Sequence, residues 1–280
     1  MRHAGWLCVC CLLVGRAPAA EKAVPLAPWW TADQFTGRAE AEQRILALVN
    51  AAREKHKQPK FRLSPELTTA ARQHTLEMLK EGYFDHESPK REWKMPWDRA
   101  YRAGYWEATV AENVIKFSTT AQDEPAAAFL AEEFVNGQHG WMNSPGHRGN
   151  ILNARWEEIG IGVAGRGGTW YGTQVFGRRW YDLTDLALEA VEGGWLVRGQ
   201  AKLLADAPKV YLAFDSEEHV VGETETRKGD LIPFRIKIPV DGKRHRIGLH
   251  PGKGEDSFWL KWLFFVDTSK PLAEARVMPY

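Results

Sequence analysis

The chain has 280 residues, of which 44% are hydrophobic and 26% are charged, so it can bury a substantial core in one large domain or two ordinary ones. This composition excludes an intrinsically disordered chain. The 37 basic and 36 acidic side chains leave a formal charge of +1. This balance does not indicate nucleic acid or an anionic membrane as a partner.

The first twenty residues have the pattern of a secretory signal peptide. A basic start is followed by an apolar run over residues 6–14 and by a small-residue exit over residues 17–20. We therefore expect a secreted or periplasmic protein, with no transmembrane segment in the mature chain because no later apolar run has the length of one. The segment also holds every cysteine of the chain, so the mature protein would have neither disulfides nor a catalytic thiol.

Helical patterns dominate the first half of what remains. Residues 21–37 are a proline-rich and alanine-rich lead-in, expected to pack on the domain, and a buried helical stripe begins after residue 38. Ser64-Pro65 predicts the start of a second helix, which places His74 on its packed face and ends at Gly82. Two shorter helices are predicted over residues 96–103, with Trp97 and Tyr101, four residues apart, in the core, and over residues 124–136.

Strand patterns follow late in the chain. Residues 159–176 alternate around a glycine-rich turn and predict a β-hairpin. Helices followed by strands, without regular alternation, favour an α+β fold for residues 38–181. After a short boundary at residues 181–185, residues 186–280 carry repeated strand signals and predict a smaller all-β accessory domain, sandwich-like, of unknown role. Its histidines, including His245, are interpreted as surface residues.

Three potential ligands lie on irregular segments. His86 follows the second helix, Glu112 follows the third, and His147 lies in the turn WMNSPGHRGNIL. Two imidazoles and a carboxylate suit a zinc ion with an open coordination position, and equally acid–base chemistry without a metal. The sequence has no HExxH or GxSxG motif. Ser144 precedes a proline at a helix start, which is typical of a cap rather than a nucleophile.

Five segments in order, GYFDHES, AEN, WMNSPGHRGNIL, EIGIGVA and YGTQVFG, resemble the CAP superfamily, also called the SCP domain, in its bacterial secreted form. The resemblance covers about residues 40–180. It implies an α-β-α sandwich and a cleft with two histidines and two glutamates that binds divalent metal in some members.

Motif matching assigns the first histidine, the first glutamate and the second histidine of that cleft to His86, Glu112 and His147. The second glutamate does not carry over, because Ser144 occupies the position three residues after the tryptophan. The remaining polar residues of the matched motifs are candidates for supporting groups that orient the histidines: Asn113, Asn150 and Gln174.

The resemblance implies a secreted binding module for a lipid, glycan or protein partner, with zinc or another divalent metal as a possible cofactor. The alternative is a metal-assisted hydrolase, a protease or an esterase, that uses the same His86, Glu112 and His147. In a third interpretation these residues form a hydrogen-bonded network that only stabilises the fold.

Overall fold

A computed structural model describes residues 24–25, 30–106, 110–120, 124–179, 181–203, 209–214, 231–252 and 262–274. The predicted signal peptide, residues 1–20, lies outside these ranges. Within them, no helix combines the length and the apolar character needed to cross a lipid bilayer.

A four-stranded sheet forms the centre of the first part of the chain, with the strand order β2-β4-β5-β3. Its strands are β2 (Arg62–Leu63), β3 (Val110–Ser118), β4 (Glu158–Arg166) and β5 (Thr169–Gly177). The predicted hairpin is confirmed as β4 and β5, which pair antiparallel around Gly167 and Gly168, both at positive φ. β3 pairs antiparallel with β5, and β2 pairs parallel with β4.

Helices cover both faces of this sheet. They are α1 (Ala39–Lys55), α2 (Pro65–Glu81), α3 (Pro96–Arg102), α4 (Ala127–Val135) and α5 (Pro145–Leu152). On β4, Ile159 and Ile161 join the apolar core that α1, α4 and α5 share on one face. Gly160 and Gly162 alternate with them and lie directly against the backbone of α2 on the other face. The predicted α+β class and the α-β-α layering are confirmed.

Local signals explain where α2 begins and ends. The Ser64 hydroxyl accepts a hydrogen bond from the Leu67 N–H at 3.2 Å, and Pro65 occupies the first turn. Gly82 ends the helix in the left-handed conformation, at φ 74°. The expectation for Trp97 is wrong, because this residue is 45% exposed. The short α3 buries Pro96, Arg99, Ala100 and Tyr101 instead.

The C-terminal strands form two sheets that enclose one apolar core, which confirms the predicted sandwich-like all-β unit. One sheet has the order β1-β6-β7-β9 and the other β11-β10-β8. The strands are β1 (Val24–Pro25), β6 (Tyr181–Val191), β7 (Gly194–Leu203), β8 (Lys209–Phe214), β9 (Leu231–Ile238), β10 (Arg244–Gly252) and β11 (Trp262–Asp267).

Three features of this unit differ from, or add to, the sequence expectations. Residues 181–185, expected as a boundary, are the first half of β6, which is bent at Asp185 by a register shift. The lead-in contributes β1, which pairs antiparallel with β6. His245, expected at the surface, is buried, and its Nε2 atom lies 2.9 Å from Asp241 Oδ1. A buried imidazole with a carboxylate partner keeps its hydrogen bonding satisfied.

Because β4 lies directly against α2, one methyl group added between them should lower the stability of the fold strongly. A Cβ at Gly160 would lie 2.0 Å from the backbone carbon of Leu67, so Gly160→Ala must push the helix away from the sheet. We expect it to lower the free energy of unfolding by about 3 kcal/mol, measured by urea denaturation. Gly149→Ala in α5 is the matched control, because nothing lies within 4 Å of its added Cβ. Equal stability of the two variants would contradict the close packing.

Candidate functional site

The loop after α2 carries His86, and a buried carboxylate fixes that loop. Glu77 on α2 accepts hydrogen bonds from the Ser88 hydroxyl at 2.9 Å and from the Trp93 indole N–H at 3.0 Å. The Ser88 N–H also donates to the Lys94 carbonyl oxygen at 2.8 Å. These bonds fix the part of the loop that directly follows His86. The imidazole itself remains about half exposed, at 47% of its side-chain surface.

Glu112, at the start of β3, lies at the centre of the site with a side chain that is only 1% exposed. Its Oε1 atom lies 2.9 Å from His86 Nδ1, and its Oε2 atom accepts a hydrogen bond from Arg99 Nη2 at 2.8 Å. The same Arg99 nitrogen donates to the His86 carbonyl oxygen at 2.9 Å. The Arg99 guanidinium therefore holds the Glu112 carboxylate and also the backbone of His86, the histidine whose imidazole contacts that carboxylate.

The charges of these groups follow from their contacts. Burial works to raise the pKa of Glu112, but the Arg99 charge and the two nearby imidazoles outweigh it and keep that pKa below its usual value. Glu112 is therefore an anion at neutral pH. The hydrogen bond to Glu112 raises the pKa of His86, although partial burial opposes it. This favours a proton on His86 Nδ1, directed at the carboxylate.

A second histidine, His74 on α2, belongs to the same cluster. Its expected place on the packed face of the helix is confirmed, since it is fully buried. The helical pattern did not predict that its Nε2 lies 3.7 Å from Glu112 Oε1. Nε2 is 2.9 Å from the Asp85 carbonyl oxygen, which can only accept, so this nitrogen carries the proton. Nδ1 is then free to accept from the Tyr83 hydroxyl at 3.3 Å. Burial lowers the pKa of His74 to about 4, so it is neutral.

His147 lies in the first turn of α5 and is half-buried. Burial, followed by the charge of nearby His86, lowers the pKa of its imidazole. Its Nδ1 atom is buried, and none of the described residues donates to it or accepts from it. Ser144 occupies the N-cap position, but its hydroxyl makes no capping bond, contrary to expectation. The helix start relies instead on Pro145 and on the Ser144 carbonyl oxygen, which accepts the Arg148 N–H at 2.8 Å.

Buried amides connect His147 to Glu112. Asn113 faces Gln174 across β3 and β5, and its Nδ2 donates to Gln174 Oε1 at 3.0 Å and to the His147 carbonyl oxygen at 3.1 Å. Asn150 Nδ2 lies 2.9 Å from Asn113 Oδ1 and 3.4 Å from the Glu112 carbonyl oxygen. The three amides therefore hold the backbone of His147 against β3, and they make no hydrogen bond to its imidazole among the described contacts.

The sequence-predicted residues thus meet in one region, but not as three equivalent ligands. Both carboxylate oxygens of Glu112 already have hydrogen-bonding partners, His86 and Arg99. Among the described residues, no group of three or more histidine, cysteine, aspartate or glutamate side chains has a spacing that could hold a metal ion. Glu112 contacts Nδ1 of His86, so it stands in the position of a carboxylate that orients this histidine rather than in that of a third, equivalent ligand.

The low pKa of His74 predicts a loss of stability in acid. The unfolded chain takes up a proton on His74 near pH 6.5, and the folded chain does so only near pH 4. The contribution of neutral His74 to the free energy of unfolding is therefore fully present above pH 6.5 and is lost as the pH falls to 4. The loss amounts to about 3 kcal/mol. His74→Gln keeps a donor for the Asp85 carbonyl and does not titrate, so its unfolding free energy should fall less steeply over this range.

Chemical denaturation at a series of pH values measures the slope. His56→Gln, at an exposed position, is the control and should keep the slope of the unaltered chain. If His74→Gln has that same slope, the buried imidazole does not titrate as described.

Comparisons with known proteins match the first part of the chain to a family. Residues 46–177 match the model of the CAP family, described as the cysteine-rich secretory protein family. YkwD, an uncharacterized protein of Bacillus subtilis (strain 168), is 34% identical over 135 residues, which cover 48% of this chain and 46% of the relative. YlbC, an uncharacterized membrane protein of the same organism, is 29% identical over 143 residues, which cover 50% of this chain and 35% of YlbC. The chain thus spans less than half the length of either relative.

Among solved structures, an extracellular protein with an SCP domain from Bacillus anthracis str. Ames is 27% identical, with a TM-score of 0.41. The match covers 50% of this chain and 41% of that protein. The matched residues 46–177 contain every residue of the site described above and all of the three-layer sandwich except the first part of α1. Residues 46–177 are thereby identified as a CAP domain, of the cysteine-rich secretory protein family.

Proposed function

We propose that this protein is an extracytoplasmic binding module whose CAP domain presents His86 and His147 to a divalent metal such as zinc and to a lipid, glycan or protein partner. The observation that carries the proposal is the hydrogen bond between His86 Nδ1 and the buried Oε1 of Glu112, at 2.9 Å. The signal-peptide pattern of residues 1–20 supports the location outside the cytoplasm.

The hydrogen bond to Glu112 determines which nitrogen of His86 can act. In the neutral imidazole, a proton held on Nδ1 leaves the lone pair on Nε2, and the His86 side chain as a whole is 47% exposed. A carboxylate behind a ligating imidazole makes that imidazole a better metal ligand and fixes its orientation. Glu112 can do this at neutral pH because Arg99 keeps it ionised in a buried position.

His147 supplies the second imidazole. Its lowered pKa keeps it neutral, as a ligand or a hydrogen-bond acceptor must be, and its buried Nδ1 has no partner among the described residues. A bound metal would bring Lewis acidity and open coordination positions to this cleft. The chain would contribute one imidazole nitrogen from each histidine, with the His86 ring oriented by a carboxylate and the His147 backbone held by Asn113.

An exposed aromatic side chain in the same loop favours a partner with an apolar surface. Phe84, two residues before His86, is 48% exposed although its ring lies 6.2 Å from that of Tyr171. A large apolar side chain held at the surface beside polar groups is typical of a binding surface. Phe84 and His86 together therefore suit a lipid or a protein surface, or the apolar face of a glycan.

Calorimetric titration with Zn²⁺ tests the two-imidazole site. We expect the unaltered chain to bind one equivalent, and His147→Ala to weaken binding at least about 100-fold because it removes a ligand. Glu112→Gln should weaken binding about 10-fold to 100-fold, since the amide cannot accept from His86 and from Arg99 as the carboxylate does.

His139→Ala is the matched control, because His139 is an exposed histidine near the same turn and should leave the isotherm unchanged. An isotherm for His147→Ala that equals that of the unaltered chain would rule out the metal role. Circular dichroism of each variant shows whether the fold is retained.

A further inference from the structure

The short helix α3 contacts several parts of the molecule at once. Arg99 points into the site and donates to Glu112, to the His86 carbonyl oxygen and to the carbonyl oxygens of Trp93 and Lys94. The next residue, Ala100, is buried in the core between α2 and the central sheet. The Arg102 carbonyl oxygen accepts the Trp30 N–H of the lead-in at 3.0 Å.

Tyr101 is the residue of α3 that leaves the CAP domain. Its ring is buried in the core of the C-terminal unit, in one cluster with Leu186, Leu188 and Phe234. Burial raises its pKa well above the usual range, and its hydroxyl has no hydrogen-bond partner among the described residues. Tyr101 therefore stabilises the C-terminal core through the apolar contacts of its ring, since its hydroxyl makes no hydrogen bond with the described residues.

The lead-in adds a second connection between the same parts. Val24 and Pro25 pair with Leu188 and Ala187 of β6, and a few residues later Trp30 packs against the apolar cluster that includes Ala100. The Trp30 ring also makes an edge contact with Trp93, with ring centroids 5.6 Å apart. Trp93 and Arg99 lie on the segment that frames His86. Through Tyr101 and Arg99, α3 therefore contacts both the C-terminal core and the site.

We propose that the C-terminal β unit is a structural part of the CAP site, and that Tyr101 is the positioning residue through which it holds α3. With Tyr101 anchored, Arg99 stays at hydrogen-bonding distance from Glu112, and Glu112 stays in register with His86 Nδ1. This proposal rests on the proposed function in one respect only, the use of Zn²⁺ as the ligand whose affinity is measured. The hydrogen bond from His86 to Glu112 can be observed without any ligand.

Two readouts and four variants test it in the full chain. Long-range ¹H–¹⁵N spectra of the imidazoles at pH 8 report which nitrogen of His86 carries the proton, and Zn²⁺ titration reports affinity. In Tyr101→Ala we expect His86 to lose its preference for a proton on Nδ1 and Zn²⁺ affinity to fall at least about 10-fold, as for loss of an orienting group. Tyr101→Phe keeps the anchor and should match the unaltered chain in both readouts.

Two further variants separate positioning from general damage. Trp97→Ala removes an exposed ring from the same helix and should change neither readout. Leu188→Ala alters the C-terminal core outside the matched residues 46–177, so any effect on His86 has to pass through the shared core. We expect it to act in the direction of Tyr101→Ala.

The proposal is overturned if Tyr101→Ala folds and His86 keeps the proton on Nδ1. If Tyr101→Ala does not fold, Leu188→Ala decides, and an unchanged His86 spectrum in that variant overturns the proposal even when its C-terminal strands have unfolded. If the unaltered chain does not bind Zn²⁺, the proposed metal site fails, while the spectra of the variants still test the role of Tyr101.

Discussion

The ion pair between Arg99 and Glu112 is the interaction on which the site depends. Both side chains are almost fully buried, and the guanidinium also binds three backbone carbonyl groups of the loop between α2 and α3. Removing one partner of such a pair leaves a buried charge uncompensated, which costs about 3 to 5 kcal/mol. The pair therefore fixes one geometry for the loop, and His86 is held at a defined position although half of its ring faces solvent.

Much of this arrangement was accessible from the sequence. Cap and stop signals located α2, alternation located the β4–β5 hairpin, and ordered motifs identified His86, Glu112 and His147. These features are local, or they lie in contiguous motifs, so their meaning does not require knowledge of distant contacts. The C-terminal strands were predicted for the same reason, since alternating residues such as Phe234, Ile236 and Ile238 face one core.

The residues that sequence reasoning missed are those whose role depends on tertiary contacts. His74 follows the helical stripe of α2, so its pattern is that of a packing residue, and its distance from Glu112 is set by the central sheet. Arg99 lies in a short helix with no motif around it. Trp97 and Tyr101 share a helical face in the sequence pattern, yet only Tyr101 is covered, because the element that covers it is formed by residues far along the chain.

The antiparallel pairing of β1 with β6 has a consequence for the order of assembly. The two residues of β1 pair with Leu188 and Ala187 on the outer edge of β6, and that part of the edge is not available to a strand from another molecule. Val24 is synthesised early and its partner Leu188 late, so this contact has a large sequence separation and forms slowly. Until it forms, the growing polypeptide carries an open strand edge, and chaperone protection matters most during that interval.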